Sequence, residues 1–198
     1  MIRNRYIAIM SALLAVSFTA CEVETDEEPG GTVMQEMAGK WTVTFEQSVK
    51  EYNVIIGEST EKPNLASMTA EQLAAEEWED FFGVGKVSVV TANTADEKSD
   101  VMWFSDEGAF WEYKVLCDVD KNTLSFSCTE QLAYEGEDGD PDCYVNCYHG
   151  KILKGAATTP RGVPADSIVA YFSFSDDSNG FTLMKMSGYR YTGYPEDR

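Results

Sequence analysis

The chain has 198 residues, 34 acidic against 15 basic side chains, a single His and a formal charge of −19. Such an acidic balance excludes nucleic-acid binding and electrostatic docking on anionic headgroups, since both need a surplus of Lys and Arg. A hydrophobic content of 43% with 12% aromatics excludes a disordered acidic tail and predicts one folded domain. In chain order, the first element is an export signal. MIRNR is followed by the apolar run YIAIMSALLAVSF and by Thr19-Ala20-Cys21. The run is too short for a transmembrane helix, which needs about 20 residues. Residues 1–20 read as a signal peptide and Phe18-Thr19-Ala20-Cys21 as a lipobox, with Cys21 the lipid attachment site. The alternative is an ordinary secretory signal cut after Ala20. Residues 21–38 read as the lipidated cysteine and an acidic, Pro/Gly-ended tether (EVETDEEPGG) that self-repels and stays extended.

From Gly39 to the C-terminus the hydrophobic period is mostly two. Trp41, Val43 and Phe45 alternate with Thr42, Thr44 and Glu46, which predicts a half-buried strand. Glu51–Gly57 is a second β-rich run. Thr69-Ala-Glu-Gln72 is a capping-box signature opening one amphipathic helix to Phe82, with Ala74, Trp78, Phe81 and Phe82 on one face. That helix reads either as packing against the domain or as a lid over a pocket. Further strands are predicted at 84–94, 101–106, 109–118, 123–129, 144–154, 167–176 and 181–191, with turn signals between them such as Asp106-Glu107-Gly108 and Asp120-Lys121-Asn122. The pattern predicts an all-β domain over residues 39–198, an antiparallel meander of about eight strands with one short amphipathic helix inserted, closed as an up-and-down barrel or folded as a sandwich. Closure into a barrel removes exposed strand edges.

Strand parity assigns faces. Glu112 and Lys114 must meet water, so Trp111, Tyr113, Val115 and Cys117 point inward. Phe126 and Cys128 match them on the next strand, and Met184, Met186 and Arg190 point inward on the last. An inward arginine needs a partner, and Trp41 offers one through cation–π stacking. Phe45, Trp111, Tyr113, Val115, Phe126, Met184 and Met186 are therefore the candidate ligand-binding interior. They are equally a candidate packed core. Cys117, Cys128, Cys143 and Cys147 remain after Cys21. They are disulfide candidates, with 117–128 and 143–147 the favoured pairs. A zinc site is short of ligands, because His149 is the only histidine. The acidic loops 118–122 and 138–142 lack the Gly and Glu of a calcium loop and read as solvated turns.

Gly39-Lys40-Trp41 with an inward Arg190 resembles the calycin signature, in which a Trp–Arg contact closes the bottom of an eight-stranded lipocalin barrel. A second resemblance covers most of the chain. Thr91–Ala95, Asp100–Asp106, Gly108–Lys114, Gly150–Lys154, Ala165–Val169, Phe174–Asp177 and Ser187–Gly193 together resemble the lipid-binding putative hydrolase family, small lipoproteins of Gram-negative gut bacteria. The resemblance implies a lipocalin-like barrel and a lipid ligand. It brings no catalytic motif, so no catalytic residue is assigned.

A serine hydrolase would need a base beside its nucleophile, and only His149 is available. Ser167, the most tempting serine, lacks a nucleophile-elbow motif. These readings converge on an exported, membrane-anchored lipoprotein that binds a small hydrophobic or lipid-like ligand. It is expected to be an outer-membrane lipoprotein, facing the periplasm or the outside, and a monomer. It would touch the membrane through its lipid anchor only, bind no nucleic acid, and require no metal or other cofactor. The alternatives are a surface module that binds a glycan or a partner protein, with an exposed patch around Trp78, Phe81 and Phe82, and an esterase-like hydrolase.

Overall fold

A computed structural model describes residues 31–136 and 141–197. The segment expected as a signal peptide, Cys21, nearly all of the expected acidic tether, and part of the acidic loop 135–142 lie outside the described residues. The unit Thr32–Arg198 is mostly β. β1 (Gly39–Ser48) leads into α1 (Val49–Ile55), α2 (Ala70–Ala74) and a two-residue strand β2 (Trp78–Glu79). Seven strands follow: β3 (Val87–Asn93), β4 (Val101–Ser105), β5 (Lys114–Asp120), β6 (Ser125–Tyr134), β7 (Cys143–Thr158), β8 (Pro164–Phe174) and β9 (Met184–Arg190). Apart from β2, each strand pairs antiparallel with the next, and β9 returns to pair with β1. The result is a closed eight-stranded barrel, with β2 as an extra strand on β1. The register from Trp41↔Arg190 to Gln47↔Met184 seals the barrel.

Three local elements differ from the sequence expectation. The run Glu51–Gly57, expected as a strand, is helical as far as Ile55. Ser48 caps that helix by accepting the Glu51 N–H at 3.3 Å. Glu51 sits in the first turn, where a carboxylate suits the helix dipole, and local capping overrides the β propensity of Val54, Ile55 and Ile56. The capping box at Thr69 is present, with Gln72 reciprocating. The helix expected to reach Phe82 nevertheless ends at Ala74. Trp78 and Glu79 pair with Ser48 and Gln47 instead. The Trp78 indole N–H takes the Leu73 carbonyl at 3.0 Å, and Gln47 Oε1 accepts the Phe81 N–H at 2.9 Å.

The strand expected from Ala109 begins only at Lys114. The buried Asp106 carboxylate accepts the backbone N–H groups of Gly108, Phe110, Trp111, Glu112 and Tyr113 at 2.6–3.0 Å. Those donors are thereby withdrawn from the sheet, and Glu112 takes a left-handed φ of 56°.

The tether ends earlier than residue 38. Met34 and Met37 are buried in the main core, and their segment is fastened to the barrel by the Arg190 guanidinium, which donates to the Ala38 and Glu36 carbonyls at 2.6 and 2.8 Å. Thr91 Oγ1 donates to the Met37 carbonyl at 2.5 Å.

Candidate functional site

The barrel interior is occupied by its own side chains. Of the candidate ligand-binding residues, Phe45, Tyr113, Val115, Phe126, Met184 and Met186 are at most 3% exposed. Phe104 stacks with Tyr113 and Phe126 and tilts against Phe172. Phe45 stacks on Phe110 at 4.1 Å between ring centroids. The seventh candidate, Trp111, is half-buried at one end of the barrel, stacked on Phe174 at 4.6 Å. Phe81, Phe82 and Phe181 pack around the same end. The aromatic patch expected at Trp78, Phe81 and Phe82 is half-buried rather than exposed. Aromatic residues thus plug this end, and the interior reads as a core. Tyr113 leaves one polar loose end there, since its buried hydroxyl has no hydrogen-bond partner among the described residues.

The opposite end holds Trp41 and Arg190. The guanidinium lies 4.3 Å from the indole centroid and also bonds Asp166 at 3.2 Å. The Trp41 indole N–H donates to Thr91 Oγ1 at 2.9 Å. Burial works to raise the Asp166 carboxyl, but the Gly155 N–H, Lys154 and Arg190 outweigh it and hold the group below its ordinary value.

The four cysteines are free, buried thiols, so the expected disulfides are not formed. Cys143 and Cys147 lie on one extended strand. Four residues there span about 13 Å, well beyond the roughly 7 Å Cα limit for a bridge. Cys117 instead meets Cys128 and Cys147 as a thiol cluster. Cys143 donates to Asp176 at 3.1 Å, and its thiol is pushed up to about 12, first by burial and then by Asp176. Asp176 also accepts the Trp111 indole N–H at 2.8 Å and the Tyr134 hydroxyl. Burial raises the Asp176 carboxyl, but these donors hold it below its ordinary value.

Besides a cleft of about 610 Å³ at Tyr134 and Asp176 and one of about 410 Å³ at Trp111, open space lies on the outer wall, where β7 is irregular. Its register breaks against β6 between Phe126 and Cys128 and against β8 between Tyr148 and Lys151. His149 takes a left-handed φ of 51°. This bulge shifts the inward parity from Cys143, Val145 and Cys147 to Gly150 and Ile152. Gly150 is needed there, because a Cβ would meet the Phe126 ring at 2.4 Å. Two clefts flank the bulge and share Ser125, His149 and Gly150. One, of about 620 Å³, runs along Asp118, Asp120, Phe126 and Cys147. The other, of about 490 Å³, lies between α2 and the barrel wall. It is lined by Ala70, Glu71 and Ala74 of α2, Val169 and Tyr171 of β8, and Lys151 of β7, besides the shared residues.

The second cleft borders a separate small core outside the barrel. Leu65, Leu73, Tyr171 and Leu183 form it, with Met68, Trp78, Tyr148 and Val169 packed around them. Tyr171 belongs to this outer core, and nothing in the sequence showed that residues 65–78 would cover it.

His149 lines both clefts, but its Nε2 lies 3.2 Å from the Met68 carbonyl and meets no serine hydroxyl. The Ser167 hydroxyl donates to the Gly188 carbonyl at 2.9 Å. The serine that shares the clefts with His149 is Ser125, bonded to Thr123. Among the described residues, no group of three or more His, Cys, Asp or Glu is placed to hold a metal ion.

A closed antiparallel eight-stranded barrel with a Trp–Arg contact at one end defines a lipocalin-like β-barrel. The family model for lipid-binding putative hydrolases matches residues 26–195, most of the chain, and the protein belongs to that family. No curated protein matches the sequence. Family and fold together support a lipid-binding role.

Proposed function

We propose that this protein is an exported lipoprotein, anchored through Cys21 in the outer membrane, whose barrel domain binds a small hydrophobic, lipid-like ligand as a monomer. The family match across the whole barrel carries the reading. The n-region, apolar run and lipobox at residues 1–21 support export and lipidation. An acidic stretch behind a lipid anchor suits a domain held off a membrane. Because side chains occupy the barrel interior, the ligand is assigned to the outer-wall clefts rather than to the barrel lumen. The test is native mass spectrometry of the full chain carrying Cys21→Ser, purified without detergent, with analysis of its organic extract. A stoichiometric adduct matched by an extracted lipid supports the reading. An adduct-free mass together with no uptake of added fatty acids or phospholipids overturns it in favour of a surface module.

One observation favours hydrolysis as a second reading: His149 and Ser125 line the same two clefts. Turnover of a fatty-acyl ester that disappears in both His149→Ala and Ser125→Ala would support it.

A further inference from the structure

The cleft beneath α2 has the chemistry of a site for one particular class of lipid, and Lys151 shows which class. Among the described residues, cationic side chains have partners almost throughout. Lys40, Lys50, Lys62, Lys98, Lys154, Lys185 and Arg190 make ion pairs. Lys86, Lys114 and Arg161 lie over aromatic rings. Only Lys121 and Lys151 have neither. Lys121 is exposed in a turn, where water solvates it. Lys151 is half-buried and lines the cleft. A partly buried lysine that lines a cleft without a counter-ion, in a chain of charge −19, leaves a cation free to meet an anion that the protein does not supply itself.

The surroundings of Lys151 select the rest of the ligand. Ala70 and Ala74 present only methyl groups from α2, and Val169 and Tyr171 supply an apolar floor from β8. At about 490 Å³ the cleft lies toward the lower end of the roughly 300–1,000 Å³ typical of small-molecule sites, which suits one acyl chain better than two. Glu71, the one acid on the same cleft, is fully exposed to solvent and makes no ion pair with Lys151. Across the His149 bulge, Asp118 and Asp120 line the neighbouring cleft, so an anionic head is disfavoured there and favoured at Lys151.

We propose that this cleft binds a single-chain anionic amphiphile, a fatty acid, with its carboxylate on Lys151 Nζ and its acyl chain over Val169 and Tyr171, beneath Ala70 and Ala74. The proposal rests on the lipid-binding reading above and assigns that reading a site and a head group.

The test measures palmitate and 1-hexadecanol binding by the full chain carrying Cys21→Ser, together with Lys151→Met, Lys151→Arg and Ala74→Trp. Ala74 is exposed, so the tryptophan fills the cleft without entering a core, and an unchanged unfolding midpoint checks its fold. The wild type should prefer palmitate to the alcohol by about tenfold, the scale of one charge-assisted contact. Lys151→Met should abolish that preference, Lys151→Arg should restore most of it, and Ala74→Trp should weaken both ligands by at least about tenfold. Binding that Lys151→Met and Ala74→Trp leave unchanged overturns this site while the lipid-binding reading stands. Failure of the wild type to bind either probe, or any phospholipid, overturns both.

Discussion

The barrel interior and the shelf outside β7 and β8 are built from the same kinds of side chain, yet they are closed in different ways. Interior residues such as Phe104, Phe172 and Met186 are surrounded by strands on every side. Hydrogen-bonded neighbours hold those strands around an interior filled by its own side chains. The shelf has strands on one side only. Leu65 and Leu73 cover Tyr171 and Leu183, with Val169 packed at the margin, from a segment whose α-helix is five residues long, and Lys151 lies outside that core. Closure of a sheet makes a core, whereas partial cover by a short segment makes a core with an open margin. The lipid-binding reading belongs at that margin.

The sharpest way to break this comparison is truncation on each side. Phe104→Ala should lower unfolding free energy by about 3–5 kcal/mol, because rigid neighbours cannot collapse into the vacated space. Leu73→Ala should cost about 2–3 kcal/mol, near the low end for a buried leucine, because the covering segment can settle. Urea unfolding by tryptophan fluorescence measures both. Equal losses would mean that the shelf is as tightly bound as the barrel, and the distinction would fail.

The same contrast governs what the sequence could reveal. Closed strands follow a rule of two, so the inward set and the Trp41–Arg190 contact were legible from alternation, while the choice of a barrel over a sandwich came with the family resemblance. The shelf obeys no period. Its making depends on Ser48 capping α1, on the Trp78 indole ending α2 and on the bulge at His149, three events decided by contacts distant in sequence or by a single backbone angle. Asp106 was hidden for a similar reason: a turn aspartate looks ordinary until five N–H groups converge on it. Lys151 reads in sequence as one more surface lysine, and only the list of paired cations around it sets it apart.

Two carboxylates sharpen the comparison through pH. Asp166, bound to Arg190 at the Trp41 end, has its native carboxyl held below the ordinary value. Its contribution is present above the unfolded-state value near 3.8 and is lost as pH falls through the lower native one. Glu51 on α1 behaves oppositely. Burial raises its carboxyl above the ordinary 4.5, although Thr182 and Lys62 oppose the shift. A raised acid stabilises the fold most when protonated, so this contribution is present below about pH 4.5 and declines as pH rises to the native value. Asp166→Asn should therefore flatten the acid limb of a stability–pH curve. Glu51→Gln should flatten the decline above pH 4.5. The Glu51 effect is on the order of 1–2 kcal/mol, and the Asp166 effect is smaller, because solvent screens its partly exposed ion pair. Identical curves for either variant and the wild type would remove that residue from the account.

The smallest effect concerns the thiols, and it tests how well the wall is sealed at the bulge. All four described cysteines are buried, and burial raises the Cys147 thiol, so few thiolates are available to react. Ellman's reagent at pH 8 should find almost no fast thiol in the native Cys21→Ser chain and four after denaturation. Four is also the outcome that separates free thiols from the pairs 117–128 and 143–147, which would leave none. On slow labelling of the native protein the order should not be random. Cys147 alone of the four borders an outer-wall cleft, beside His149 and Gly150, where the register with both neighbouring strands breaks. Local opening there needs fewer ladder bonds to part than opening around Cys117, which sits in an unbroken register with β4. Cys147 should therefore be modified before Cys117. The reverse order would mean that the bulge is as firmly closed as the rest of the barrel.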